Sequence, residues 1–558
     1  MGIGTTLRES VAAHVRPGDD LHVVCSHTRW TPAATEVVRQ WWGRDPGFTL
    51  TMLSLSSLGT LFFRGGLLRH VVTGYSGDVF PNFTPNRVFG DAYLSGAVTV
   101  EHWSFLAFQQ RLEAAARGLP AMVTGSIAGS DMASNPGFTA TSTPFGDLGL
   151  VAAHAPDVAL VHGAIADHAG NVAFHPPMLE GVWGALAAKR GAIVTVERIV
   201  DDISPWAHLV KLPAHRVLSV TECPMGAHPG GLYGRFTPAE PYGEDVGFWS
   251  MVRDASRRDD FDDWIREWVL DVADHAAYLD KLGGERRAML RRRAEVDSWR
   301  DDEAEYPADE VSTPNDWERA AVFGARVLAD RICAIGADAA LAGAGVANLA
   351  TWLAVRRARD RGSGCVLTAE LGLWGYEPTP ADPFVFNHRA FPSSTMLADS
   401  SEILGVVMAG PATTSIACLG AAIVDVEGNI DSTEVPGRVF LVGSGGGNDV
   451  ASTADEVVVM TTLTPRRTVE RVPYVTSPGR NVSHFVCDLG VFRSEGGRLV
   501  LVSVAPGGGT VTDRIEAIRS LCGWELVVAD VVSELEPVTH DEVMALRRWD
   551  PQGYFLRG

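Results

Sequence analysis

Apolar positions along the first half of the chain fall into two rhythms. Leu21–Cys25, Ala121–Thr124, Val158–Val161 and Ala192–Glu197 are short runs of β-branched and small apolar residues, which predicts buried strands. Pro32–Trp42 and Phe105–Arg117 instead repeat their apolar residues at helical spacing, which predicts amphipathic helices. Strands alternating with helices imply parallel α/β sheets. The second half keeps the same beat, with strands predicted at Cys365–Ala369, Val406–Met408, Thr414–Leu419, Val439–Val442, Glu456–Thr461 and Leu499–Val504. The expected fold class is therefore α/β: two related open lobes with mainly parallel sheets flanked by helices.

The texture changes between the halves. From Arg257 to Glu305 charge is dense, yet Trp264, Trp268, Val272, Ala276 and Leu279 keep helical spacing, so docked helices are expected there. The acidic, proline-containing stretch that follows predicts an exposed linker. The expected division is a first lobe with a helical tail over 1–300, a linker over 301–316 and a second lobe over 317–558.

One pattern recurs once per half. Asp167-His168-Ala169-Gly170-Asn171-Val172 is echoed by Asp425-Val426-Glu427-Gly428-Asn429-Ile430. Aspartate caps such a turn, and Gly and Asn tolerate positive φ. The recurrence favours two related lobes.

Composition narrows the function classes. With 47 Lys and Arg against 68 Asp and Glu, the net charge of −21 repels nucleic acid and anionic membrane. The seven cysteines are scattered, with no CxxC and no histidine cluster at ligand spacing, so neither a disulfide scaffold nor a metal site is expected. The start lacks a signal-peptide pattern. The most apolar window, Ala337 to Val355, is interrupted by Asp338, Asn348 and glycines and reads as strand, turn and helix. A cytoplasmic protein is expected.

Candidate chemistry concentrates in Asp338–Pro378. A strand enters Gly343-Ala344-Gly345, a helix follows, and a second strand ends at Glu370. This imitates a dinucleotide fingerprint, but Asn348 stands where the third glycine belongs and a further turn with Gly372 and Gly375 follows the acid. A strand-end carboxylate flanked by glycines can be a nucleophile toward a carbonyl, with backbone N–H groups stabilising the oxyanion. It can equally cap a turn or pair with His388 or Arg389. The run Gly443-Ser444-Gly445-Gly446-Gly447-Asn448-Asp449 favours the first reading, because a plain strand–helix connection rarely needs three consecutive glycines.

Taken together, these segments resemble the β subunit of family I coenzyme A transferases, and Cys487-Asp488-Leu489-Gly490-Val491-Phe492 resembles the glutaconate CoA-transferase branch. Val100-Glu101-His102-Trp103-Ser104, Ala114–Pro120, the Asp167 turn and Val196-Glu197-Arg198-Ile199-Val200 resemble that branch's α subunit. The resemblance implies α and β fused in one chain and a homodimer of such chains. It implies CoA transfer between an acyl-CoA and a carboxylate by ping-pong chemistry, with Glu370 carrying CoA as a glutamyl thioester. It further implies a thioester loop at Gly372, Gly375, Gly445, Gly446, Gly447 and Asn448, and CoA contacts at Gly343 and Gly345. Coenzyme A enters as substrate, with no permanently bound cofactor.

Two departures stand out. The family's Ser-Glu-Asn-Gly reads Ala369-Glu370-Leu371-Gly372, and its Gly-Gly-Phe in the α subunit is replaced by Ser26-His27-Thr28-Arg29-Trp30. Ser26, His27 and Arg29 are accordingly the candidates for the substrate pocket, with Arg29 able to receive a carboxylate. The same branch holds hydrolases and decarboxylases of CoA thioesters. The alternatives are therefore a CoA-thioester hydrolase or C–C lyase using Glu101, with His102 and His168 as further candidates, or a non-catalytic CoA-ester-binding protein. CoA phosphates would need cations such as Arg64, Arg69, His388 or Arg389.

Overall fold

The computed structural model describes residues 2–3, 5–26, 28–309, 312–386 and 388–557, so His27 lies outside the described residues. The chain forms two compact units. The first comprises Met1–Thr124, Asn135–Ser298 and Gly437–Gly445; the second comprises Gly125–Ser134, Trp299–Pro436 and Gly446–Gly558. Within the stretch expected to be a linker, Trp299–Glu305 is a helix. Asp302 pairs with Arg389 at 2.6 Å, Glu303 with Arg548 at 2.7 Å, and Arg547 donates to the carbonyls of Asp309 and Ser312.

The first unit is built on eight parallel strands in the order Gly2–Ile3, Val217–Glu222, Gly191–Val200, Val158–Asp167, Asp20–Val23, Phe48–Met52, Leu68–Thr73 and Thr99–His102. Its central strands are buried along their length, which is why they read as continuous apolar runs. The winding reverses at Asp20–Val23, whose neighbours are the next strand in sequence on one side and Val158–Asp167 on the other. Ala121–Thr124, expected in this sheet, lies instead in a three-stranded antiparallel sheet with Gly146–Ala152 and Phe138–Thr143. Val123 is half exposed there, so its apolar run does not report burial.

In the second unit, five parallel strands run in the order Val366–Ala369, Ala339–Ala342, Ser415–Gly420, Glu456–Met460 and Val482–Val486. Antiparallel strands extend both ends of the sheet. Ala339–Ala342 is the switch point: its successor in sequence pairs on one side and Ser415–Gly420 on the other. In open α/β sheets, ligands enter at the carboxyl ends of the strands flanking such a point. The helices Asp316–Ile335 and Val346–Asp360 pack together; the first begins with a capping box from Asn315 and Glu318 and ends at Gly336 in the left-handed conformation. The strand expected at Val406–Met408 falls instead in the π-helical turn Ile403–Val407 and leaves Val406 exposed; three apolar residues are too few to fix a period.

The repeated turn is the same structure in both units. Asp167 accepts from the backbone N–H of Asn171 at 2.8 Å and from its carboxamide at 2.8 Å; Asp425 accepts the matching pair from Asn429 at 2.9 and 3.1 Å. Gly170 and Gly428 take φ of 93° and 83°. Each asparagine then accepts, through Oδ1, a backbone N–H just after a proline and before a sheet strand: Ala214 at 3.0 Å and Gly479 at 2.8 Å. One side chain thus ties a turn to the entry of the next parallel strand. Asp425 is buried and also accepts from Glu427 and Val472, whereas Asp167 is partly exposed. Replacing Asn429 with Ala is expected to cost about 2 kcal/mol in urea unfolding, because it strands buried hydrogen-bonding groups, and Asn171→Ala is expected to cost less.

Candidate active site around Glu370

Strand Val366–Ala369 turns back on itself at once. Thr368 pairs with Trp374 and Ala369 with Leu373, leaving Glu370-Leu371-Gly372 as a three-residue hairpin loop. Gly372 sits at φ 124°, which a side chain would oppose, and its N–H donates to the Ala369 carbonyl at 3.1 Å. The carboxylate is therefore carried on a short, fixed loop at the carboxyl end of the sheet. Gly375 also takes positive φ, and a Cβ there would lie 2.3 Å from Thr395 Oγ1. Both glycines build the hairpin that presents Glu370.

The glycine run meets this acid through one residue. Gly446 precedes the helix Gly447–Thr453, and its backbone N–H donates to the Glu370 carboxyl. The approach is so close that a Cβ on Gly446 would lie 1.9 Å from Glu370 Oε2. Any side chain would expel the carboxyl, so glycine is required at this position. Gly445 belongs to the other unit, where its N–H donates to Gly74 and its carbonyl accepts from Phe105. A Cβ on Gly447 would reach only ordinary contact, with Ser477 at 3.5 Å.

Burial pushes the Glu370 carboxyl up to about 8, and the negative charge of Asp449 adds to the rise, while the Gly446 N–H acts in the opposite sense. Leu371 and Leu404 are buried beside it, yet Glu370 itself keeps partial exposure. The result is an acid protonated for the most part at neutral pH and reachable from outside.

Asn448 has a different job from the one expected. Its carboxamide donates to the Thr476 carbonyl at 2.9 Å and accepts the Ile127 N–H at 2.8 Å. Ile127 sits at φ 72°, strained for a β-branched residue, with Ala128 N–H donating to the Ser126 carbonyl around it. Asp131 fixes the same loop by exchanging hydrogen bonds with Val475. The Gly125–Ser134 loop thus anchors the start of the helix whose first N–H faces Glu370. Nothing in its sequence announces this, since neither period nor motif marks Ser126-Ile127-Ala128. Asp449 had a visible signal, an acid directly after the glycine run.

Gly343 and Gly345 close the neighbouring strand at the switch point. A Cβ on Gly343 would lie 2.4 Å from the Cys418 carbonyl, and Gly345, at φ 76°, opens the helix Val346–Asp360. Both strand ends, at Gly343 and at Glu370, lie on the same edge of the sheet.

The remaining candidates belong to the first unit. Ser26 donates to the Ser54 carbonyl at 3.1 Å, and Arg29 is buried with its guanidinium donating to the carbonyls of His175 and Pro177. Both follow the strand where that unit's winding reverses. Glu101 lies 3.8 Å from His70 and 3.6 Å from Arg111, whose guanidinium stacks over Trp103 at 4.2 Å. Burial raises its carboxyl, but the His70 hydrogen bond and the Arg111 charge outweigh that and hold it below its ordinary value. His102 is buried against Phe440, and burial lowers its imidazole to about 4; His168 is exposed beside Asp201. Among the cationic candidates, Arg64 pairs with Asp262 and Arg389 with Asp302, while Arg69 is exposed and His388 buried.

Among the described residues no group of three or more His, Cys, Asp or Glu could hold a metal, and no helix is long and apolar enough to cross a membrane.

Comparison with known proteins agrees with this geometry. Residues 6–221 match the family model described as coenzyme A transferase. The chain is 30% identical over 290 residues to a 3-oxoadipate CoA-transferase subunit from Pseudomonas knackmussii, covering 50% of this chain and 97% of that one. It is 29% identical over 313 residues to a glutaconate CoA-transferase subunit from Acidaminococcus fermentans, covering 51% and 93%. In fold it is similar to an acyl-CoA transferase from Escherichia coli O157:H7, with a TM-score of 0.66 at 14% identity over 96% of this chain and 95% of that one.

Because the folded protein holds a proton on Glu370 that the unfolded chain releases near pH 4.5, stability from this group is lost as pH rises from about 4.5 to about 8 and is level above. At about 1.4 kcal/mol per pKa unit this is a loss of a few kcal/mol. Denaturant unfolding across that window is expected to show the decline in the wild type and a flatter profile in Glu370→Gln. Asp449→Asn should end the decline at lower pH, and an identical profile in all three would refute the assigned environment.

Proposed function

Because this chain belongs to the coenzyme A transferase family, we propose that it moves CoA from an acyl-CoA to an acceptor carboxylate through a glutamyl-CoA thioester on Glu370. The observation that carries this reading is the Gly446 approach: a backbone N–H aimed at a carboxyl with no room for any side chain between them.

The chemistry follows from that pair. The Glu370 anion attacks the thioester carbonyl, the C–S bond breaks, and CoA leaves as thiolate from a mixed anhydride. The thiolate then attacks the glutamyl carbonyl and releases the first carboxylate, which leaves CoA on Glu370. An acceptor carboxylate attacks the glutamyl thioester, and returning thiolate completes the new acyl-CoA and frees Glu370. Each addition puts negative charge on an oxygen beside the Gly446 N–H, where a fixed donor in a water-poor site is most effective. Burial leaves the attacking anion as the minor form at neutral pH but also strips it of the hydration that would blunt it.

Gly343 and Gly345 suit the CoA arm, since a strand end without side chains at the switch point leaves a path to Glu370 along one sheet edge. Each of the two curated relatives is a single subunit whose whole length corresponds to half of this chain. That supports an α-like lobe over 1–300 and a β-like lobe over 317–558, working as a cytoplasmic homodimer of fused chains. The hydrolase alternative through Glu101 finds no support, because that carboxylate is engaged by two cations.

Glu370→Gln keeps shape and removes the nucleophile. Transfer from acyl-CoA donors should fall at least about a thousand-fold while CoA-ester binding by calorimetry stays within a few-fold. Retained turnover would exclude a covalent route through this residue.

A further inference from the structure

The first unit contains a cavity of about 440 Å³ lined only by its own residues and sharing none with the Glu370 site. Its walls are aromatic and aliphatic: Trp30, Phe248, Trp264 and Trp268 face Leu58 and Leu61. Trp264 and Trp268 stack at 6.4 Å with an interplanar angle of 22°, and Phe248 meets Trp268 edge-on at 5.2 Å. Such a lining fits a flat apolar body.

The charged lining offers nothing to an anion. Arg39 donates to the Val269 carbonyl and pairs with buried Glu36, which also accepts from Gln40 and lies 3.7 Å from Arg8. The polar lining has a definite sense. His228 Nε2 lies 3.1 Å from the Asp245 carboxylate, which Arg286 also holds, so Nε2 carries the proton and Nδ1 accepts from the Tyr278 hydroxyl at 2.7 Å. The Tyr278 proton is therefore committed to His228, and its oxygen is left as an acceptor. His275 Nε2 donates to the Pro224 carbonyl at 2.6 Å, which leaves Nδ1 an acceptor as well, and burial lowers both imidazoles toward the neutral form. The His275 and Tyr278 rings lie side by side at 6.1 Å in the cavity lining.

From this juxtaposition we infer that the first unit binds a second small molecule: an uncharged, flat, mainly apolar compound carrying a hydroxyl or N–H donor, received by Tyr278 and His275. The inference does not depend on the Glu370 mechanism. The test is titration of the full chain with 2-naphthol, following tryptophan quenching, against 2-methoxynaphthalene, which lacks the donor, and 2-naphthoate, which is anionic. Saturable binding of 2-naphthol at least about five-fold tighter than either analogue is expected. Ala276→Trp, at an exposed lining position, should abolish it while CoA-ester binding persists. No saturation, equal affinity for all three probes, or unchanged binding in Ala276→Trp with an intact fold by circular dichroism would overturn the inference.

Discussion

A carboxyl held out of bulk water against a single backbone N–H is the constraint on which the second unit's architecture depends. Removing Glu370 from water is costly unless something compensates, and the compensation is partial: one donor from Gly446, opposed by the charge of Asp449. The protein tolerates the difference by keeping the group protonated. That state persists only while the hairpin at Glu370 and the helix start at Gly446 stay in register, which explains the local rigidity. Gly372 turns the hairpin, Gly375 seats it against Thr395, and Asn448 ties the helix start to Thr476 and Ile127.

The same constraint accounts for strain elsewhere. Ile127 adopts a backbone conformation that β-branched residues avoid, and it does so in the loop that grips Asn448. Strain of this kind survives only where surrounding contacts over-determine it. Here the hydrogen bonds of Asp131 to Val475, together with Arg480 reaching the Ser452 carbonyl, supply that support. The repeated Asp-x-x-Gly-Asn turn does comparable work in each unit, linking a turn to the next strand so that strand ends stay fixed at the carboxyl edge.

Much of this was legible in the sequence because it rests on period and on glycine. The buried strands around Glu370 and the helix after Gly345 show as apolar runs, and the run at Gly445–Gly447 marks a place where backbone replaces side chain. The turn echo predicts two related units, and their hydrogen bonds match atom for atom. What stayed hidden depends on long-range partners. Asn448 reads as a loop donor until Ile127 and Thr476 are seen on its carboxamide. Val406–Met408 reads as strand, and Ala121–Thr124 as core, because short apolar runs carry no information about their neighbours. The neutral cavity of Tyr278 and His275 follows from a proton order that no linear pattern encodes.

The central claim is that Glu370 covalently carries CoA between substrates. Incubation with an acyl-CoA, borohydride reduction and mass analysis of the peptide containing residue 370 test it most directly. The account predicts conversion of that one carboxyl to the primary alcohol, dependent on the acyl-CoA. An unmodified Glu370 peptide from enzyme that is turning over would contradict it.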